Sequence, residues 1–166
     1  MVAVDTNVVV RLVTQDHPAQ AARAAAIFRS GPVHIAKTVL LETAWVLGYA
    51  YDLDDKAIAR VLRGVAGLPN VELEDTGAVA DALAALERGL DFADALHLAS
   101  SGGATRFVTF DRRLVRRARD GAKLEQNITA DAARTEAGIA SVTCPRDRVA
   151  VVDDRFTCAA NLACGV

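Results

Sequence analysis

MVAVDTNVVVRLV, residues 1–13, is the stretch that decides the fold. Four apolar residues, Met1 to Val4, read as a short buried strand that stops at Asp5. Asp5, Thr6 and Asn7 are all good helix N-cap types, and Val8 to Val13 then carries a helical apolar run. A strand that passes through an acid straight into a helix is the opening of an α/β unit. The same alternation continues outward. Pro18 suits a first helical position, Ala19 to Phe28 is Ala-rich and helical, and Ser30-Gly31-Pro32 ends it. Val33 to Ala36 is a second short strand. Thr38 is the expected cap of a helix carrying Val39, Leu40, Trp45, Val46 and Tyr49, and Asp54-Asp55 open another through Val65. Asn70 to Glu74 alternates as a strand does. Thr76 opens a helix closed by Gly89, Asp91 opens one running to Ala99, Arg106 to Phe110 is the clearest strand, and Asp111 caps Arg112 to Arg119. Helices between short apolar strands imply a parallel sheet covered on both faces.

Composition bounds the classes. The chain has 166 residues, 52% hydrophobic and 24% charged, enough apolar surface to fold without metals or disulfides. Apolar runs fall well short of the ~20 residues that cross a membrane. The start meets a carboxylate at once and has no basic n-region, so no signal peptide is expected. A net charge of −2 gives no global positive field for nucleic acid. The cysteines, Cys144, Cys158 and Cys164, all fall in the last 23 residues, and an odd number there fits a reducing, cytoplasmic setting. Neither they nor His17, His34 and His97 have zinc spacing.

Acids stand where an α/β fold puts its chemistry. Asp5 ends the first strand and Asp111 follows the last clear one. Glu42 lies in the first turns of a helix after the second strand, and Asp91 and Asp94 share a helix face at i, i+3. Strand C-termini and helix N-termini form one rim in an open parallel sheet, where ligands bind. Capping alone explains any single Asp here, and Glu42 alone reads as a solvated residue. Asp94 is harder to dismiss, because Phe92, Ala93, Ala95, Leu96 and Leu98 leave it in apolar company. A carboxylate cluster needs a cation between its members, and oxygen donors select a hard ion such as Mg²⁺ or Mn²⁺.

Val4-Asp-Thr-Asn7, Glu42 in Leu-Leu-Glu-Thr-Ala-Trp45, Asp91-Phe-Ala-Asp-Ala-Leu-His97 and Val108-Thr-Phe-Asp111 occur in that order. Over residues 1–120 this resembles the PIN-domain ribonucleases, most closely the VapC-type toxins of toxin–antitoxin pairs. The resemblance implies a three-layer α/β domain whose central parallel sheet has four to five strands flanked by helices. It implies a Mg²⁺- or Mn²⁺-dependent endoribonuclease that uses water as nucleophile and leaves 5′-phosphate and 3′-hydroxyl ends. Asp5, Glu42, Asp94 and Asp111 would be the acidic quartet, with Asp5 and Asp94 as the principal metal ligands and Glu42 and Asp111 as further ones. Thr6 and Asn7 would be polar partners of the first acid. Asp91 lines the same face as Asp94, and Thr109 would offer its hydroxyl beside Asp111. His97 reads as a partly buried helix residue rather than a ligand. A homodimer and a cognate antitoxin are implied partners, with DNA engaged only through the antitoxin and no membrane.

Residues 112–123 hold six cations against Asp120. The plain reading is a solvated helix. The functional one gives Arg112, Arg113, Arg116 and Arg117 to the RNA backbone. The expected division is a nuclease domain over 1–126 and a tail over 127–166 of unread structure, which the family pattern does not cover. Thr129 to Ala137 has helical composition, and Leu124 or Ile128 hints at a last strand. A different class of function also stands: an idle module that keeps the fold and binds RNA or protein without cutting. A receiver-type domain would need adjacent acids at the first strand, where Asp5 is followed by Thr6 and Asn7. No Gly-rich Lys-Ser/Thr loop or Gly-x-Ser-x-Gly elbow is present.

Overall fold

The computed structural model describes residues 1–104, 106–118, 140–144 and 148–152. They fall in two compact units, Met1–Ser100 and Ser101–Val166. The expected boundary at 126 lies outside the described residues, as do residues 124, 128 and 129–137.

In the first unit the chain runs β1 (Val2–Ala3), α1 (Thr6–Thr14), α2 (Pro18–Ser30), β2 (Val33–Ile35), α3 (Lys37–Tyr51), α4 (Asp55–Ala66), β3 (Val71–Leu73), α5 (Thr76–Glu87) and α6 (Phe92–Ser100). The three strands form one parallel sheet in the order β1-β2-β3, with Val2 opposite Val33 and Val33 opposite Val71. This is the parallel sheet among helices that the strand–helix alternation requires. β1 departs from the expected burial: both its residues are exposed. It is two residues long and pairs on one side only within its unit, so nothing there covers Val2.

Caps fix the helix starts. Asp5, Asp54 and Asp75 accept from Val8, Ala57 and Ala78. Pro18 begins α2 behind His17. Thr76 opens α5 as expected, with Asp75 as its cap. One start differs from the sequence expectation. Ala36 rather than Thr38 is the N-cap of α3, and it has no side-chain acceptor to give. Glu74, just past β3, supplies one instead: its Oε2 accepts from the Lys37 amide at 2.8 Å. At the close of α5, Gly89 takes φ +91°, a left-handed conformation that a side chain would strain.

The core lies where α3 packs against α1, α4 and α6 and α5 packs against α4 and α6. Val9, Val33, Ile35, Leu40, Leu47, Leu62 and Val79 are sealed from solvent. Each such aliphatic side chain contributes on the order of 1.5–3 kcal/mol by leaving water. On the outer face of α3, Trp45 and Tyr49 remain exposed and stack at 5.1 Å between ring centroids.

The second unit contains β4 (Arg106–Val108), a helix over 112–118 (α7), β5 (Ala140–Cys144) and β6 (Arg148–Val152). Its sheet has the order β4-β6-β5, with β4 parallel to β6 and β5 antiparallel to it. Two strands thus fall in the stretch that sequence periodicity left unread. Among the described residues no helix is long and apolar enough to cross a membrane.

Candidate active site

The β1–α1 junction carries the first acid. Asp5 is exposed and spends one oxygen on the helix, accepting from the Val8 amide at 3.1 Å. Thr6 follows and is buried. Its hydroxyl, expected to accompany Asp5, donates to Glu42 Oε2 at 2.6 Å, across 36 residues of sequence. α1 packs on α3, which is what brings the two side chains together. Glu42 is exposed, with one carboxylate oxygen oriented by this short bond to a buried hydroxyl.

Asp91 and Asp94 lie at the start of α6, which packs on α3 from another side. Asp91 is exposed and acts as the cap: its Oδ1 accepts from Ala93 at 2.8 Å and from Asp94 at 3.2 Å. Asp94 is half-buried. α3 therefore touches both elements that carry the other acids of this unit. His97 is exposed rather than partly buried. The buried face of α6 is Phe92, Ala95 and Leu96, and His97 lies off it.

In the second unit Asp111 accepts from the Arg113 amide at 2.6 Å and from Leu114 at 3.2 Å, which makes it the start of α7. The Thr109 hydroxyl accepts from the Asp111 amide at 3.0 Å, so it braces the backbone that carries that carboxylate. α7 buries Leu114, Val115 and Ala118 and exposes Arg112, Arg113, Arg116 and Arg117.

A cleft of about 480 Å³ opens beside the first acid. Asp5, Asn7 and Val8 line it from the β1–α1 side, and Gln20, Arg23, Ala24 and Ile27 line it from α2. Sequence reading passed over Gln20 and Arg23, because the Ala-rich composition of α2 reads as core. The i, i+3, i+4, i+7 spacing of residues 20, 23, 24 and 27 was the signal available.

The donor chemistry fits a hard divalent cation: Asp5, Glu42 and Asp94 offer only oxygens, and Thr6 ties one of them to the first-strand segment. Among the described residues no three Asp, Glu, His or Cys side chains come together in a group that would hold a metal. The structure supplies the donors and the Thr6–Glu42 link, and not a closed cage.

The model of the PIN domain family matches residues 2–120. The chain belongs to the PIN domain family. The match takes in Asp5, Glu42, Asp94 and Asp111, and with them both the first unit and the start of the second. No curated protein matches the chain. PIN domains have a nuclease-type fold and are generally metal-dependent nucleases that use divalent ions.

Proposed function

We propose that this PIN domain is a Mg²⁺- or Mn²⁺-dependent endoribonuclease and acts as the toxin of a toxin–antitoxin pair in the cytoplasm. The observation that carries the reading is the 2.6 Å bond from Thr6 to Glu42. It orients an isolated acid toward the segment that bears Asp5, a use of a buried hydroxyl that helix capping does not explain.

Asp5 and Asp94 would hold the ion, with Glu42 as a further carboxylate. Asp111 enters through its place in the motif order, with Thr109 bracing its backbone. A divalent ion, when bound, polarises the phosphoryl oxygens and lowers the pKa of a water. The protein's own part is positional. Thr6 fixes the Glu42 carboxylate, Asn7 offers an amide at the cleft beside Asp5, and Asp91 stiffens the first turn that carries Asp94. Arg112, Arg113, Arg116 and Arg117 would contact phosphates and carry no sequence preference by themselves. A cognate antitoxin would restrain the activity, a basic side chain of it matching the acidic rim.

The test is cleavage of structured RNA by purified protein with Mg²⁺ or Mn²⁺, repeated with EDTA and with Asp94→Asn. Metal-dependent cutting lost in both controls supports the reading. Folded, antitoxin-free protein that cuts no RNA would favour the idle binding module instead. Cutting that survives EDTA or the substitution would remove the acidic mechanism.

A further inference from the structure

A nuclease that relies on carboxylates has an electrostatic difficulty. The acids repel the phosphodiester they must approach, so a cation has to hold the strand beside them. The cleft next to Asp5 has two guanidinium groups on its lining, Arg11 and Arg23. Arg11 is already committed. It meets both oxygens of Asp16 at 2.7 and 2.6 Å, the Tyr51 hydroxyl at 3.2 Å and Gln20 Oε1 at 2.8 Å. Its charge is largely neutralised by Asp16. Arg23 is exposed on the α2 side of the same cleft and has no ion pair or hydrogen bond among the described residues. Gln20, which lies one turn before it, is turned toward Arg11 by their hydrogen bond.

From this we infer that Arg23 is a phosphate-positioning residue: it holds the backbone of an unpaired RNA strand in the α1–α2 cleft, next to Asp5 and Asn7. The inference rests on the nuclease reading for the identity of the strand, and it adds a contact outside the arginines of α7. An exposed arginine with open cleft in front of it presents a planar fork of donors, the geometry that matches a phosphate. The cleft, at about 480 Å³, has room for a nucleotide-sized piece of backbone. A cleft of this volume admits one unpaired strand rather than the full width of a duplex.

The experiment is fluorescence anisotropy with a short, unstructured, fluorescein-labelled RNA, in EDTA so that nothing is cut, across a salt series. Arg23→Gln is compared with Arg29→Gln, an identical charge change on the same helix at an exposed position that does not line the cleft. The expected result is about a tenfold loss of affinity for Arg23→Gln at low salt, the size of one charge-assisted hydrogen-bonded contact. Its log–log salt slope falls by about 0.7, one phosphate contact to a single strand. Arg29→Gln changes neither by a comparable amount, Arg23→Lys recovers most of the slope, and thermal stability is unchanged. In steady-state cleavage with metal, Arg23→Gln raises KM and leaves kcat, since the residue holds the strand and does not touch the reacting atoms. Equal affinity and slope for Arg23→Gln and Arg29→Gln, in a wild type that binds RNA, would overturn this inference alone. A folded wild type that binds no RNA would overturn it together with the nuclease reading.

Discussion

Thr6 and Thr43 are both buried hydroxyls, and they sit in opposite states. Thr6 donates at 2.6 Å to Glu42. Thr43, the next residue along α3 from Glu42, is fully buried and its Oγ1 finds no partner among the described residues. An unsatisfied buried hydroxyl costs roughly 1–3 kcal/mol, and an isosteric apolar group removes that cost. Thr43→Val is therefore expected to stabilise the fold by about 1 kcal/mol in urea unfolding. Thr6→Val has the opposite logic. The shape is kept and the link to Glu42 is lost, so RNA cleavage should fall at least about tenfold, the size of a lost hydrogen bond to a charged group. Thr6→Ser, which keeps the hydroxyl, should retain most of it. Sequence distinguished these two residues poorly. Val4-Asp-Thr-Asn7 marks Thr6 as belonging to the site, but a hydroxyl reads the same whether it serves the acid before it or one 36 positions away. Only the packing of α1 on α3 decides between them.

Helix starts show where local sequence suffices and where it does not. Asp5, Pro18, Asp54 and Asp91 were legible because cap and first-turn chemistry is written within three residues. The start of α3 was not, because its acceptor, Glu74, arrives from the end of β3, 37 residues on. That bond ties the sheet to the helix that carries Glu42. Glu74→Ala should cost about 1 kcal/mol, as loss of a side-chain cap does, read as a lower urea midpoint with unchanged slope. The far end of α3 is tied differently. The Tyr51 hydroxyl donates to Asp16 at 2.7 Å, just beyond α1, and Arg11 pairs with the same carboxylate. The Tyr51 bond first, and then that of Arg11, lower the Asp16 pKa from 3.8 to about 2. A depressed folded-state pKa stabilises the fold above the unfolded value and loses that contribution as pH falls through the folded one. Acid unfolding should therefore carry a component between about pH 4 and pH 2. Tyr51→Phe should flatten that component and lower stability at neutral pH by the same amount, a small one because the carboxylate is exposed. An unaltered acid transition in Tyr51→Phe would show that this contact does not tie α1 to α3 in solution.

At the scale of the chain, the order of strands and helices was readable through α7, because the helices are long enough for their period to show and the breaks carry Gly, Pro or Asp. Past α7 that code fails. β6 is Arg148-Val-Ala-Val-Val152, four apolar residues in a row with no alternation, and β5 includes Ser141 and Thr143. Such strands are fixed by pairing rather than by their own pattern: β6 lies between β4 and β5 and is hydrogen-bonded on both edges. Charge is distributed as unevenly as pattern. The chain is −2 overall, yet α7 exposes Arg112, Arg113, Arg116 and Arg117 on one short helix. Net charge therefore says little about this local field, and only such a field would favour RNA as the proposed partner. If these arginines hold phosphates, each contact releases condensed counterion, and log affinity must fall with log salt by about 0.7 per contact on a single strand. Arg113→Gln and Arg116→Gln should each lower that slope by about this amount, add when combined, and weaken all RNA sequences alike. A slope that stays constant while affinity drops would mean that the arginines support the fold of α7 instead. In that case the buried face of Leu114, Val115 and Ala118 would be the whole reason for the helix.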